Sequence, residues 1–236
     1  MRTLGLLGGM SWESTTSYYQ HLNRMARERL GGQHSAKLLI WSADFAPIAA
    51  MQRAGDWAQA TKVLVDAARR LEAAGAEALL ICANTMHLMA PEVQAAVAIP
   101  VLHVAEATAA RIQAWGARRP LLLATRFTME RPFYRERLLA HGVEAIVPSE
   151  SDRGRLHAII FDELVQGRFE PESRQAVVDI ARRAVQEGAD GVILGCTEFA
   201  LLVGPRDFSV PTFDTTEIHC RAAMDFALGP GAGSPQ

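Results

Sequence analysis

The chain has 236 residues, 49% of them hydrophobic, and a formal net charge of −2. That length suits one large domain or two small α/β lobes, and the near-neutral charge gives no reason to expect a nucleic-acid partner. No apolar run approaches the roughly 20 residues of a membrane span, and the start, Met1-Arg2-Thr3-Leu4, does not read as a signal peptide. Three cysteines, Cys82, Cys196 and Cys220, form an odd set without disulfide-framework spacing, which favours a reducing, cytoplasmic setting.

The first apolar run, residues 4–7, ends in Gly8-Gly9-Met10-Ser11-Trp12-Glu13. Ser11 or Ser14 is placed to cap the helix that carries Tyr18, Leu22 and Met25. The glycine pair permits a tight strand-to-helix turn or a backbone anion site. It is not the dinucleotide fingerprint, whose third glycine and spacing are missing. A second strand is expected over 37–41, leaving at Ser42-Ala43-Asp44-Phe45. A loop with Gln52, Arg53 and Gly55 then leads to a long helix over 57–74. A third strand covers 79–81, a helix begins near Pro91, and 99–103 is a short fourth strand.

The order then repeats. An apolar strand over 120–125 exits at Thr125-Arg126-Phe127-Thr128, and a helix with Phe133, Tyr134, Arg137 and Leu138 follows. A sixth strand is expected over 142–147, helices over 156–166 and 172–187, a seventh strand over 192–194 and an eighth over 210–214. The last helix spans about 217–228, and the Gly/Pro-rich tail 230–236 is expected to be disordered.

Two stretches repeat each other closely. Residues 74–85 read Ala-Gly-Ala-Glu-Ala-Leu-Leu-Ile-Cys-Ala-Asn-Thr, and laid over 187–198 they set Gly75 on Gly188 and Asn84 on Thr197. Ala83 then falls on Cys196. Each copy is a helix, a glycine C-cap, a buried strand and a polar exit. Open α/β sheets bind ligands at such exits. Cys196 is therefore a candidate for nucleophilic or proton-transfer work, against the plainer role of a buried structural cysteine. Strands alternating with helices imply parallel sheets and right-handed crossovers. The expected fold is α/β: two pseudo-symmetric three-layer lobes, each with a four-stranded parallel sheet, and the active site in the cleft between them. Lobe 1 is 1–106 plus 215–229, and lobe 2 is 107–214.

Three motifs together resemble the aspartate/glutamate racemase family: Gly8-Gly9-Met10-Ser11-Trp12-Glu13-Ser14-Thr15, Asn84-Thr85-Met86-His87 and Gly195-Cys196-Thr197-Glu198. The likeness runs from Leu4 to about Leu228. It is nearest to the bacterial branch with the Gly-Gly-Met-Ser-Trp-Glu signature, which includes broad-specificity and L-selective aspartate/glutamate racemases. The resemblance implies a cofactor-free reaction at an amino-acid α-carbon, a cytoplasmic homodimer, and two cysteines facing each other across the cleft. One thiolate removes the α-proton and the other thiol returns a proton to the opposite face. By position Cys196 matches the second catalytic cysteine. The place of the first holds Ala83, and Cys82 lies one residue earlier. Neighbouring strand side chains point to opposite faces, so Cys82 is expected to face a sheet–helix contact, unless the strand end is irregular.

Alanine moves no proton, so the expected activity is impaired or one-sided racemisation. The alternatives are single-cysteine decarboxylation, as in the similar arylmalonate decarboxylases, and amino-acid binding without catalysis. Expected substrate contacts are Met10, Gln52, Asn84, Thr85, Thr125, Thr128 and Thr197. Gln52 matches a substrate-contacting glutamine of the branch, and Arg168 is the nearest cation to where the family often keeps a basic residue. His87 and Glu198 stand where they either tune a thiol or cap a helix. Asp214 or Glu217 is a candidate to orient the base. No metal is expected, because no His/Cys/Asp/Glu group has ligand spacing.

Overall fold

A computed structural model describes residues 1–229. The expected disordered tail, 230–236, lies outside them. The chain divides into two compact units: Met1–His103 with the chain from His219 onward, and Val104–Ile218.

Unit 1 runs β1 (Leu4–Gly8), α1 (Trp12–Leu30), β2 (Leu38–Ser42), α2 (Phe45–Ala54), α3 (Trp57–Ala73), β3 (Ala78–Ile81), a 3₁₀ turn (Thr85–Met89), α4 (Ala90–Ala96) and β4 (Val101–Leu102). Its strands are all parallel, in the order β2-β1-β3-β4. The period-2 alternation of strand side chains divides two cores across this sheet. Leu7, Leu79 and Ile81 pack with Leu64, Ala67, Ala68 and Leu71 of α3. Leu4, Leu6, Ala78, Leu80 and Cys82 pack with Tyr18, Leu22 and Met25 of α1 and with Cys220, Ala223 and Met224. Helices on both faces explain why the strands are continuous apolar runs rather than alternating ones.

The expected loop over Gln52 and Arg53 is instead the helix α2. Asp44 caps it by accepting from the Ala46 N–H at 3.2 Å, Gly55 closes it in the left-handed region at φ 71°, and Ile48, Ala49 and Gln52 form its buried face. The two caps lie on either side of only 10 residues, too short a window for periodicity to reveal.

Unit 2 runs α5 (Val104–Trp115), β5 (Leu121–Leu123), α6 (Arg126–Glu130), α7 (Pro132–Ala140), α8 (Glu150–Ala158), a π turn (Ile159–Glu163), a 3₁₀ turn (Leu164–Gln166), α9 (Pro171–Gln186), β6 (Val192–Leu194), α10 (Phe199–Leu202), a 3₁₀ turn (Pro205–Asp207) and β7 (Thr212–Asp214). The last helix, α11 (Thr215–Leu228), begins in this unit and ends in unit 1. The parallel sheet is β5-β6-β7.

The strand expected over 142–147 pairs at one residue only, Ile146 with Leu121. Ile146 N–H donates to Pro120 O at 2.9 Å and receives Leu122 N–H on its own carbonyl at 2.8 Å. In parallel pairing the next rungs would need N–H groups from residues 120 and 148. Both are proline, so the ladder stops on each side. The segment nonetheless holds the edge beside β5, so unit 2 repeats the spatial order of unit 1. The helix expected over 156–166 starts at Glu150, capped by Ser149 at 3.2 Å from the Asp152 N–H, and loosens into the π turn after Ala158.

Candidate active site

In unit 2 the buried strand β6 ends at Leu194 and leads into Gly195. A side chain there would meet Leu122 Cδ1 at 2.8 Å, so glycine lets this strand lie close to β5 at its exit. Cys196 follows, 9% exposed. Its thiol donates to Glu198 Oε2 at 2.9 Å. Burial, then the Glu198 charge and this hydrogen bond, hold the Cys196 pKa well above the ordinary thiol value. The thiol is thus protonated at rest, with a carboxylate in contact to accept its proton. Glu198, 4% exposed, precedes α10 and makes no side-chain cap bond to it.

Thr197 is buried beside this pair and accepts from Thr216 Oγ1 at 3.3 Å, while Thr215 Oγ1 donates to Leu194 O at 2.8 Å. Neither Thr215 nor Thr216 stood out in the sequence, although both follow the exit of β7. Asp214 Oδ1 accepts from the Thr216 N–H at 2.8 Å and the Glu217 N–H at 3.4 Å, capping α11. At the β5 exit Thr125 caps α6. Thr128 is fully buried with its hydroxyl 3.2 Å from that of Thr125.

In unit 1 the turn after β1 is steric in origin. Gly9 has φ 82°, and a side chain on it would lie 2.2 Å from Ala43 N. Its N–H donates to Thr15 Oγ1 at 2.7 Å, and Ser11 caps α1. Met10 lies in the core with Ile48 and Met86. At the β3 exit Ala83 is half-buried, and Asn84 and Thr85 are buried. Cys82 is fully buried against α1, and burial pushes its thiol pKa far up. Gln52 is 5% exposed; its Nε2 faces Met86 Sδ at 3.1 Å, and its buried Oε1 has no hydrogen-bond partner among the described residues.

Behind Ala83 lies a group of imidazoles. His87 Nδ1 donates to Ala83 O at 3.0 Å, and its ring centroid lies 4.7 Å from that of His103 and 5.6 Å from that of His219. His219 Nε2 donates to Leu102 O at 2.7 Å, which leaves Nδ1 to accept from Tyr18 Oη at 2.9 Å. Burial lowers the His219 pKa to about 4. Among the described residues no group of three His, Cys, Asp or Glu is placed to hold a metal ion.

The profile of Asp/Glu/hydantoin racemases matches residues 7–223. The chain belongs to that family. It is 23% identical over 231 residues to the broad specificity amino-acid racemase RacX of Bacillus subtilis (strain 168), covering 95% of this chain and 98% of that one. Among solved structures, a Yersinia pestis protein described as a candidate Asp/Glu racemase is 47% identical, with a TM-score of 0.90 over 97% of this chain and 100% of that one. An aspartate racemase homologue from Pyrococcus horikoshii OT3 is 36% identical, with a TM-score of 0.84 over 96% and 99% of the two chains. In this racemase family member the duplicated strand exits are unequal: Cys196 ends one and Ala83 the other.

Proposed function

We propose that the protein is a cofactor-independent amino-acid racemase in which Cys196 is the acid/base at the α-carbon. The observation that carries this reading is the 2.9 Å contact of the Cys196 thiol with Glu198 Oε2 at the end of β6. In the reaction Glu198 accepts the Sγ proton, and the thiolate takes the α-hydrogen from carbon. The electron pair passes into the substrate carboxylate, where hydroxyls and backbone N–H groups stabilise it. Thr197, Thr85 and Asn84 are the donors proposed for this, with Met10, Gln52 and Thr125 as further contacts.

Ala83 stands where the family likeness implies the other thiol and offers no proton, so water delivers it. The activity is therefore impaired or one-sided. Cys82 takes no part, because its sulfur faces α1. Its broad-specificity relative in Bacillus subtilis supports an amino-acid substrate. A homodimer is the expected assembly from the family likeness.

The test is deuterium wash-in at the α-carbon, followed by proton NMR with a panel of L-amino acids in D2O. Loss of the α-proton signal with at least one of them is the expected result. The presence of one thiol where the family pattern has two also favours a second reading, single-cysteine decarboxylation. Carbon dioxide release from a disubstituted malonate without amino-acid exchange would establish that instead. Ligand-induced thermal stabilisation without either reaction would leave a binding protein.

A further inference from the structure

Sheet edges are kept from pairing with other chains by shortness, proline or charge. Three of the edges here have such protection. β4 has two residues and follows Pro100. β7 has three, follows Pro211 and ends in Asp214. The segment at Ile146 makes one rung and runs into Pro148. β2, the end strand of the unit 1 sheet, has none of it: five residues, Leu-Leu-Ile-Trp-Ser, without proline or charge. β1 and β3 are buried throughout, whereas every residue of β2 is half-buried or exposed.

The register with β1 shows which backbone groups of β2 are free. Leu4 N–H donates to Lys37 O at 3.0 Å, and Ala43 N–H donates to Gly8 O at 3.1 Å. Residues 37, 39, 41 and 43 therefore face β1, because parallel bonds come from alternate residues. The N–H and C=O groups of Leu38, Ile40 and Ser42 point away from the sheet, with no strand beside them among the described residues.

An apolar patch flanks this edge. Leu38 packs in the core that contains α1, and alternation puts Ile40 on the same side, 41% exposed. Asn23 of α1 accepts the Ala36 N–H on Oδ1 at 3.1 Å and donates from Nδ2 to Tyr19 O at 2.8 Å. That turn of α1 thus lies against the approach to β2. Tyr19 is 51% exposed, and Trp12, two turns earlier on the same face, is 65% exposed.

We propose that the β2 edge is the surface on which a second copy of this chain docks, antiparallel, about a two-fold axis at Ile40. The strand is self-complementary in that arrangement. Ile40 opposes the partner's Ile40, and Leu38 opposes the partner's Ser42, so the outward backbone groups exchange bonds pair by pair. Leu39 meets the partner's Trp41, a branched–aromatic pair. The charges match as well. Lys37 and Asp44, both exposed and in no ion pair among the described residues, stand at opposite ends of the strand. Antiparallel pairing sets Lys37 opposite the partner's Ala43, next to the partner's Asp44, and repeats this at the other end. The two four-stranded sheets become one. The proposal does not depend on the catalytic reading, which deuterium wash-in tests separately.

The test is sedimentation velocity over a concentration series, with the wild type and Ile40→Lys. The wild type is expected to form a dimer. Ile40→Lys places two like charges opposite each other at the axis and is expected to raise the dimer dissociation constant about tenfold or more, with an unchanged circular dichroism spectrum. Ile40→Cys, treated with a short bismaleimide, is expected to give a covalent dimer, since the native cysteines are buried. Leu139→Cys, an exposed position of unit 2, is expected to give none. A wild type that stays monomeric at every concentration overturns the proposal. So does a dimer unmoved by Ile40→Lys, or one that cross-links through Leu139→Cys and not through Ile40→Cys. If Ile40→Lys fails to fold, the cross-linking pair alone decides.

Discussion

At the residue scale the account turns on a thiol held against a carboxylate. The Glu198 charge is one of the causes that raise the Cys196 pKa, after burial itself. In Glu198→Gln that contribution goes, so Cys196 is expected to form its thiolate at lower pH. Thiolate absorbance against pH, with Cys196→Ser as the blank, measures this. A titration unmoved by the substitution would contradict the pairing. Deuterium wash-in by the same variant is expected to fall by about tenfold or more at neutral pH, since the thiol has lost its proton acceptor. The two-residue spacing of Cys196 and Glu198 was visible in the sequence, but the contact was not. Side-chain directions beyond a strand exit depend on the turn that follows, and here Glu198 serves the thiol and makes no side-chain cap of α10. The opposite orientation of Cys82 was legible, because the alternation of β3, continued just past its end, puts residues 82 and 83 on different faces.

Elements place these residues, and glycine sets how closely they approach. Gly9→Ala forces a side chain into the left-handed region and onto the backbone of Ala43. A loss of more than about 1 kcal/mol is expected, read from urea unfolding. The duplicated strand exits make a second prediction. Ala83→Cys adds a thiol at the end of β3 matching the one after β6, so interconversion of the two enantiomers is expected to rise from either starting form, as read by chiral chromatography. Strand positions were legible because buried parallel strands are short apolar runs bounded by polar exits. The single rung at Ile146 was not, because Pro120 and Pro148 limit the ladder only once it is known which strands are neighbours. α2 escaped for a different reason: its signals are its caps, not a periodic face.

At the scale of the whole molecule, stability and activity depend on pH through buried groups. His219 has a folded pKa of about 4 against an ordinary 6.5. Between those values the unfolded chain binds the proton and the folded chain does not. The contribution is therefore complete above pH 6.5 and is lost as the pH falls toward 4, by on the order of 3 kcal/mol. Urea unfolding across that range is expected to show a shallower acid slope for His219→Gln than for the wild type. The duplication was legible at this scale, because the two copies of helix, glycine, strand and exit align residue by residue. The measurement that bears most directly on the whole account is deuterium wash-in at the α-carbon by the wild type and by Cys196→Ser, each first shown to unfold at the same temperature. The wild type is expected to exchange the α-hydrogen of at least one amino acid about a hundredfold or more faster than the variant. Equal rates in the two proteins would contradict the assignment of Cys196 as the acid/base.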